Sequence, residues 1–349
     1  MKKHFLFLAM AVAAMTGCMK DEVVATYEPT PQAIGFESFV NKATKAVTET
    51  NTNLTKFHVF GYYDGTTPTT VFDNIPVTYA GSKWGYTTTQ YWTKNTYQFA
   101  AYANSNADVN EMNNVEFANK ALTISDYTVS DGNDLVADVV ADVDGAAKTT
   151  SASSPVEFTL EHLLTKVKFT VINNDNTYKM RITSPLTITG VNEMGTCTVG
   201  ESSVSWEGET PIVEKTFTPI DATAAGTYIP IEDPANDDHM VASQEYFVMP
   251  QGLTSIKYYI TADFYDNYNQ VVATKTFTGK TMINKITEAG EDNEVDTEIN
   301  TWKNGYAYNY TISLPTAAKP IEFSASVSGW KNGGTIELNP GDTGSNGIN

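Results

Sequence analysis

The chain predicts an all-β protein made of two tandem β-sandwich domains. First, apolar and polar residues alternate with period two in recurrent short segments rich in Val, Thr, Tyr and Phe, the residues that suit a pleated, half-buried surface. Second, turn clusters separate those segments while helical periodicity is scarce. Third, the length of 349 residues exceeds the roughly 100 to 150 that one sandwich occupies.

The N-terminus reads as an export signal. Met1-Lys2-Lys3 is a short basic start, and residues 4–17 are almost wholly apolar or small. That run is shorter than the roughly 20 apolar residues a bilayer span requires, and fits a secretory leader. Thr16-Gly17 directly before Cys18 is similar to a bacterial lipobox, with Met15 where Leu is usual. Residues 1–17 are therefore expected to be the leader and Cys18 a lipidation site. An ordinary signal peptide cut near Cys18 is the alternative. Residues 18–31, with Asp21, Glu22, Pro29 and Pro31 and no periodicity, read as a tether.

Strand text begins at Ile34. It continues through Lys56–Tyr62, Tyr97–Tyr102, Glu157–Leu160, Lys166–Val171, Lys257–Phe264 and Ile321–Val327. Asp64-Gly65, Asn104–Asn106, Asp131–Asn133, Asn173–Asn176 and Asn332–Gly334 punctuate it. Single helical turns are expected in 110–122 and in Glu161–Lys166. The polar run Asn173–Lys179 suggests a boundary, giving domains at 32–176 and 177–340 and a flexible tail at 341–349.

Composition excludes several function classes. The formal charge is −19, and removing the leader takes away Lys2 and Lys3 and no acid, giving −21. Such a surface opposes nucleic acid, which is held by Lys and Arg on phosphates. It also opposes electrostatic docking on anionic lipid, so membrane attachment would rest on acyl chains. With Cys18 acylated, Cys197 is left alone and no intramolecular disulfide forms. Its strand-like setting marks it as a small buried hydrophobe.

No His-Glu-x-x-His, Cys-x-x-Cys, Gly-x-Ser-x-Gly or phosphate-binding glycine loop is present, so no enzyme and no cofactor is expected. His58 and His162 read as structural, and His239 as part of a solvated acidic loop. Asp142-Val-Asp144-Gly145 resembles the middle of an EF-hand loop, but that register puts Val140 and Ser151 at ligand positions, so no metal is assigned. The segment Trp84–Tyr102 is dense in aromatics; core filling is the main reading and glycan stacking the alternative.

Taken in order, several segments resemble the fimbrillin family of Bacteroidales, the subunits of type V pili. They are the lipobox and tether; Ile34-Gly-Phe-Glu-Ser-Phe; Leu54–Tyr63; Trp84–Ala103; Phe158–Phe169 with its His-x-Leu-x-Lys-Val text; and Tyr306–Leu314 followed by Ile321–Trp330. The resemblance spans nearly the whole mature chain. It implies two transthyretin-like sandwiches, no catalysis, export as an outer-membrane lipoprotein, and a surface fimbrium serving adhesion and biofilm formation. It also implies assembly by strand exchange: a protease removes the first strand of the N-terminal domain, and a terminal strand of a neighbour fills the groove. Implied partners are copies of this chain or other pilus subunits, the outer membrane through lipid, a processing protease, and a host or bacterial surface ligand.

On this chain the plug would be about 33–47, with Ile34, Phe36 and Phe39 filling the groove. The donor would lie in 321–338, with Ile321, Phe323, Ala325 and Val327 on one face. The arginine-specific cleavage of the family has no counterpart, because Arg181 is the first arginine. Lys42 and Lys45 are the candidate processing positions. An uncleaved anchor or tip subunit, or a monomeric glycan-binding lipoprotein, is the alternative.

Overall fold

A computed structural model describes residues 31–40, 54–81, 83–104, 112–130, 132–149, 155–211, 215–217, 228–231, 240–254, 256–280, 284–287, 296–314 and 322–329. In chain order the strands begin with β1 (Phe36–Val40), β2 (Lys56–Tyr63), β3 (Thr69–Tyr79), β4 (Trp84–Gly85), β5 (Thr96–Asn104) and β6 (Val115–Ala118). They continue with β7 (Ala121–Thr128), β8 (Leu135–Asp144), a helical turn α1 (Gly145–Lys148), β9 (Val156–His162), β10 (Thr165–Asn173), β11 (Lys179–Thr189) and β12 (Asn192–Gly200). Next are β13 (Ser203–Pro211), β14 (Lys215–Phe217), β15 (Met240–Ala242), β16 (Tyr246–Val248), β17 (Gln251–Gly252) and β18 (Lys257–Tyr265). The last are β19 (Val271–Lys280), β20 (Asn284–Thr287), β21 (Asp296–Ile299), β22 (Thr301–Trp302), β23 (Tyr306–Leu314) and β24 (Glu322–Gly329).

The largest sheet runs β1-β9-β8-β5-β2-β3-β4. Its two ends meet. Ala33 bridges Tyr91, with Ile34 N donating to Gln90 O at 2.8 Å and Trp92 N to Gln32 O at 2.9 Å. The sheet therefore curls around an interior of Ile34, Phe36, Phe57, Val59, Phe72, Phe99, Phe158 and Leu160. Period two then dictates the other face. In β2, Phe57 and Val59 point inward, while His58 and Phe60 point outward. A second sheet, β13-β12-β7-β6, covers that outer face over Phe60, Tyr102, Leu122, Ile124, Cys197 and Val199. A third core lies between β10, β23 and their neighbours and the sheet β14-β11-β18-β19, with Phe169, Tyr310 and Ile312 against Ile182, Phe217 and Phe264.

The cores do not divide along the chain at one point. β10 pairs in parallel with β23 in the third core. β12, further along the chain, pairs with β7. Segments from 165 to 211 thus interleave between the cores.

Both expected helical turns are strands or connections. In 112–122 the chain forms the hairpin β6–β7, turning at Asn119 and Lys120 with φ of 52° and 61°. Two left-handed residues make the turn that matches strand twist. In Glu161–Lys166, β9 hands over to β10, and the carbonyls bond outward instead of up a helix. Leu163 O accepts from Trp206 Nε1 at 2.8 Å, and Leu164 O from Gly305 N at 2.8 Å. The short helix α1 was not expected. The Asp144 carboxylate caps it, accepting from Ala146 N at 2.9 Å and Ala147 N at 3.3 Å.

Candidate strand-exchange groove

β1 lies parallel to β9, with Phe36 beside Val156, Ser38 beside Phe158 and Val40 beside Leu160. Gly35 O accepts from Val156 N at 2.8 Å. Alternation sends Ile34, Phe36 and Ser38 inward, where they are 2%, 4% and 4% exposed, and leaves Glu37 in solvent. The Phe36 ring meets Phe72 edge-on at 5.1 Å, Tyr86 at 5.6 Å, Phe99 at 5.9 Å and Phe158 in a stack at 5.9 Å. Burying such a ring removes 150 Å² or more from water, and the edge-on contacts add to that. The Tyr86 hydroxyl donates to Ile34 O at 2.8 Å and accepts from Gln90 N at 3.2 Å. One side chain thus ties the main chain just before β1 to the far wall.

Phe39 belongs to the other parity. Its register partner is Thr159, one residue out of phase with Phe36, and its side chain lies outside the described residues. In a period-two strand Phe36 and Phe39 do not share a face, and the third inward position of the described strand is Ser38. Cys18, Lys42, Lys45 and Ile321 also lie outside the described residues.

On its other edge β9 keeps register pairs with β8 only at Val136–His162 and Ala137–Glu161. Further along, the Asp138 carboxylate completes the seam, accepting from Thr159 N at 2.7 Å and from Val139 N at 2.8 Å. Burial pushes this carboxyl up from 3.8 to about 6, against the pull of those two N–H groups and with Glu161 and Glu201 adding to the rise. A carboxyl whose pKa is raised on folding stabilises the protein fully below its unfolded pKa, and loses that contribution as pH climbs through the folded pKa. Asp138→Asn should therefore gain on the native chain between pH 4 and 7 and then level off, by about 2–3 kcal/mol at most. Urea unfolding of both proteins across pH 4 to 8 measures the difference; a constant offset would contradict the assignment.

The other terminal strand, β24, pairs antiparallel with β23 at the end of its sheet. Phe323 stands opposite Ile312, Ala325 opposite Tyr310 and Val327 opposite Tyr308. Those three β23 residues are buried in the third core. Directly opposed residues of an antiparallel pair share a face, so positions 323, 325 and 327 have the core-side parity.

The aromatic segment mostly fills the interior. Trp92, Tyr97, Phe99 and Tyr102 are buried; Trp84 and Tyr86 are half-buried, and Tyr91 is 51% exposed. His58 is buried, with Nδ1 against Asn74 O at 3.2 Å; His162 is buried against Asp134; His239 lies outside the described residues. Cys197 is buried, and its thiol is pushed up to about 12. Among the described residues no group of three or more His, Cys, Asp and Glu is placed to hold a metal.

Sequence reasoning missed Tyr86 and Asp138 in this site. Nothing local marks a tyrosine whose hydroxyl bonds to a chain 52 residues away. Ser38 was within reach, because strict alternation from Ile34 through Phe36 lands on it.

A family model described as fimbrillin-like matches residues 44–330. Fimbrium subunit Fim1C of Phocaeicola vulgatus is 23% identical, over 97% of this chain and 99% of that protein. The crystal structure of a fimbrial protein from Bacteroides vulgatus ATCC 8482 superposes with a TM-score of 0.57 at 18% identity, covering 86% of this chain and 99% of that one, a likeness of fold. With the match running through both halves of the chain, the protein belongs to the fimbrillin-like family.

Proposed function

We propose that this chain is a structural subunit of a surface fimbrium. It is exported as an outer-membrane lipoprotein through Cys18 and assembled by strand exchange in the groove that β1 fills. The observation that carries the reading is the placement of β1. It is a short strand that pairs with β9 and, with Ile34 just before it, supplies Phe36 to an interior otherwise built from residues from position 54 onward. Cutting at Lys42 or Lys45 severs it from the rest of the chain and leaves it held by side chains and hydrogen bonds alone. Its departure bares Phe72, Phe99, Val156 and Phe158, an apolar slot beside the free edge of β9. An entering strand regains both the ladder and the burial. The contact joins unlike surfaces, so repetition gives an open filament, suited to adhesion and biofilm growth.

Two sandwich units remain the reading of domain organisation, with membership set by pairing: β12 and β13 belong with the first and β10 with the second. No specific feature favours the glycan-binding alternative, since the rings that motivated it lie mainly in the interior. Lysine-specific digestion of lipid-free protein, followed by intact mass and negative-stain microscopy, tests the proposal. A cut at Lys42 or Lys45 with filaments or heat-resistant ladders supports it. A clean cut that leaves only monomers overturns it.

A further inference from the structure

We propose that a cleft between the core beneath the β13-β12-β7-β6 sheet and the third core is a binding site for a neutral saccharide. The site adds to the structural role of the subunit and involves no residue of the aromatic run 84–102. The cleft has a volume of about 460 Å³, within the range of small-molecule sites. Its walls include Glu161, Trp206, Gln251, Lys303, Asn304 and Tyr306. Two of these supply rings. Tyr306 has the parity of Tyr308 and Tyr310, which are buried in the third core, but it lies before the first residue of β23 that joins that core. It is left 40% exposed at the cleft. Trp206 is half-buried, with its ring edge-on to Tyr127 at 6.0 Å and its Nε1 donating to Leu163 O at 2.8 Å. Its amide-like donor is thus satisfied within the protein, and the indole offers the cleft an apolar surface. A pyranose ring has an apolar C–H face that stacks on such surfaces and a belt of hydroxyls that does not.

The polar groups of the walls suit hydroxyls. Glu161 and Lys303 are exposed and bring a carboxylate acceptor and an ammonium donor to the same cleft as the Asn304 amide. Lys303 forms no ion pair among the described residues. His162, also on the wall, is committed to Asp134. Glu161 opposes an anionic ligand, as does a formal charge of −19 over the chain, so the choice falls on an uncharged sugar. The walls are also held in place. Gly305 N donates to Leu164 O at 2.8 Å, and Thr165 Oγ1 donates to Lys303 O at 2.7 Å. The Gln251 side chain accepts from Asn192 N at 2.7 Å and donates to Gly190 O at 2.8 Å. Gly305 has a φ of 73°, which glycine adopts without strain, and the turn it makes sets Asn304 and Tyr306 on one cleft. A site built this way loses little freedom when it binds. If the subunit polymerises as proposed above, the site recurs once per subunit, and a weak single contact becomes firm attachment along a filament.

A glycan array of neutral and acidic oligosaccharides, probed with the lipid-free chain from residue 19 onward, tests this. Neutral oligosaccharides should bind, and titration of the best of them in solution by saturation-transfer NMR should give its affinity. Tyr306→Ala should weaken that affinity about tenfold through loss of a stacking ring. Glu161→Gln should weaken it severalfold through loss of the charged acceptor. Because Tyr306 is well exposed, its variant should keep a urea midpoint close to that of the native chain. Absence of binding to any sugar on the array, binding confined to acidic sugars, or a neutral sugar held as tightly by Glu161→Gln and Tyr306→Ala as by the native chain overturns the proposal. Binding is measured on the monomer. Its failure therefore leaves the fimbrial reading standing, and a failure of the cleaved chain to assemble leaves this site standing.

Discussion

Phe36→Ala should loosen β1 from the unprocessed chain by about 3–5 kcal/mol, the usual cost of removing a buried ring from a close-packed site. The surrounding rings of Phe72, Tyr86, Phe99 and Phe158 come from other strands and loops that cannot close the gap together. Because β1 is short, the loss should show first as local detachment. The sensitive probe is the Val156 amide, which donates to Gly35 O. Its hydrogen exchange should accelerate by about two orders of magnitude, the equivalent of some 3 kcal/mol of local opening. The amide of Ile312, in the third core, should hardly change. Equal acceleration at both sites would mean that β1 is an integral part of one cooperative unit and not a detachable plug.

Phe323→Asp should abolish polymerisation, at a cost to the monomer confined to the end strand of its sheet, since position 323 has the core-side parity there as well. Position 323 lies in a strand at the end of its sheet, and Ile312 opposite it remains sandwiched against the β11–β18 sheet. In the groove the same residue would face the aromatic interior that β1 vacates. A carboxylate there would be desolvated among aromatic rings without a partner, at a cost of several kcal/mol. The expected result is a near-native near-ultraviolet circular dichroism spectrum together with loss of ladders and filaments. Filaments formed by this variant at the native rate would exclude β24 as the donor. Phe323→Leu, which keeps an apolar occupant, should assemble more slowly.

Much of the fold was legible because period-two alternation reports directly on burial. Phe57 and Val59 face one core and His58 and Phe60 the other, as the text of β2 implies. The aromatic run 84–102 reads as core for the same reason. Features set by a single residue or by distant partners were less legible. Asn119 and Lys120 turn a hairpin through left-handed conformations that lysine rarely adopts, so 110–122 passed for a helical turn. Asp144 caps a helix too short to show periodicity. Leu163 and Leu164 look like a helical pair until their carbonyls are seen bonded to Trp206 and Gly305. The interleaving of β10 and β12 is hardest of all to read, because which sheet a strand joins depends on residues more than 60 positions away.

The candidate site divided along the same line. Ile34 and Phe36 follow from hydrophobic alternation, and counting on by two gives Ser38 in place of Phe39. Tyr86 and Asp138 act through hydrogen bonds to the backbone of other strands, a role that no neighbouring residue announces. Tyr86 ties down the main chain just before β1 and Asp138 closes the seam between β8 and β9, and both are polar groups that a purely hydrophobic reading passes over.

The most direct measurement is a cryo-electron-microscopy map of filaments grown from the processed chain. The slot between β9 and Tyr91 should hold a strand continuous with residues 321–338 of an adjacent subunit. A slot still filled by the subunit's own Ile34–Val40, or by any other segment, would contradict the account.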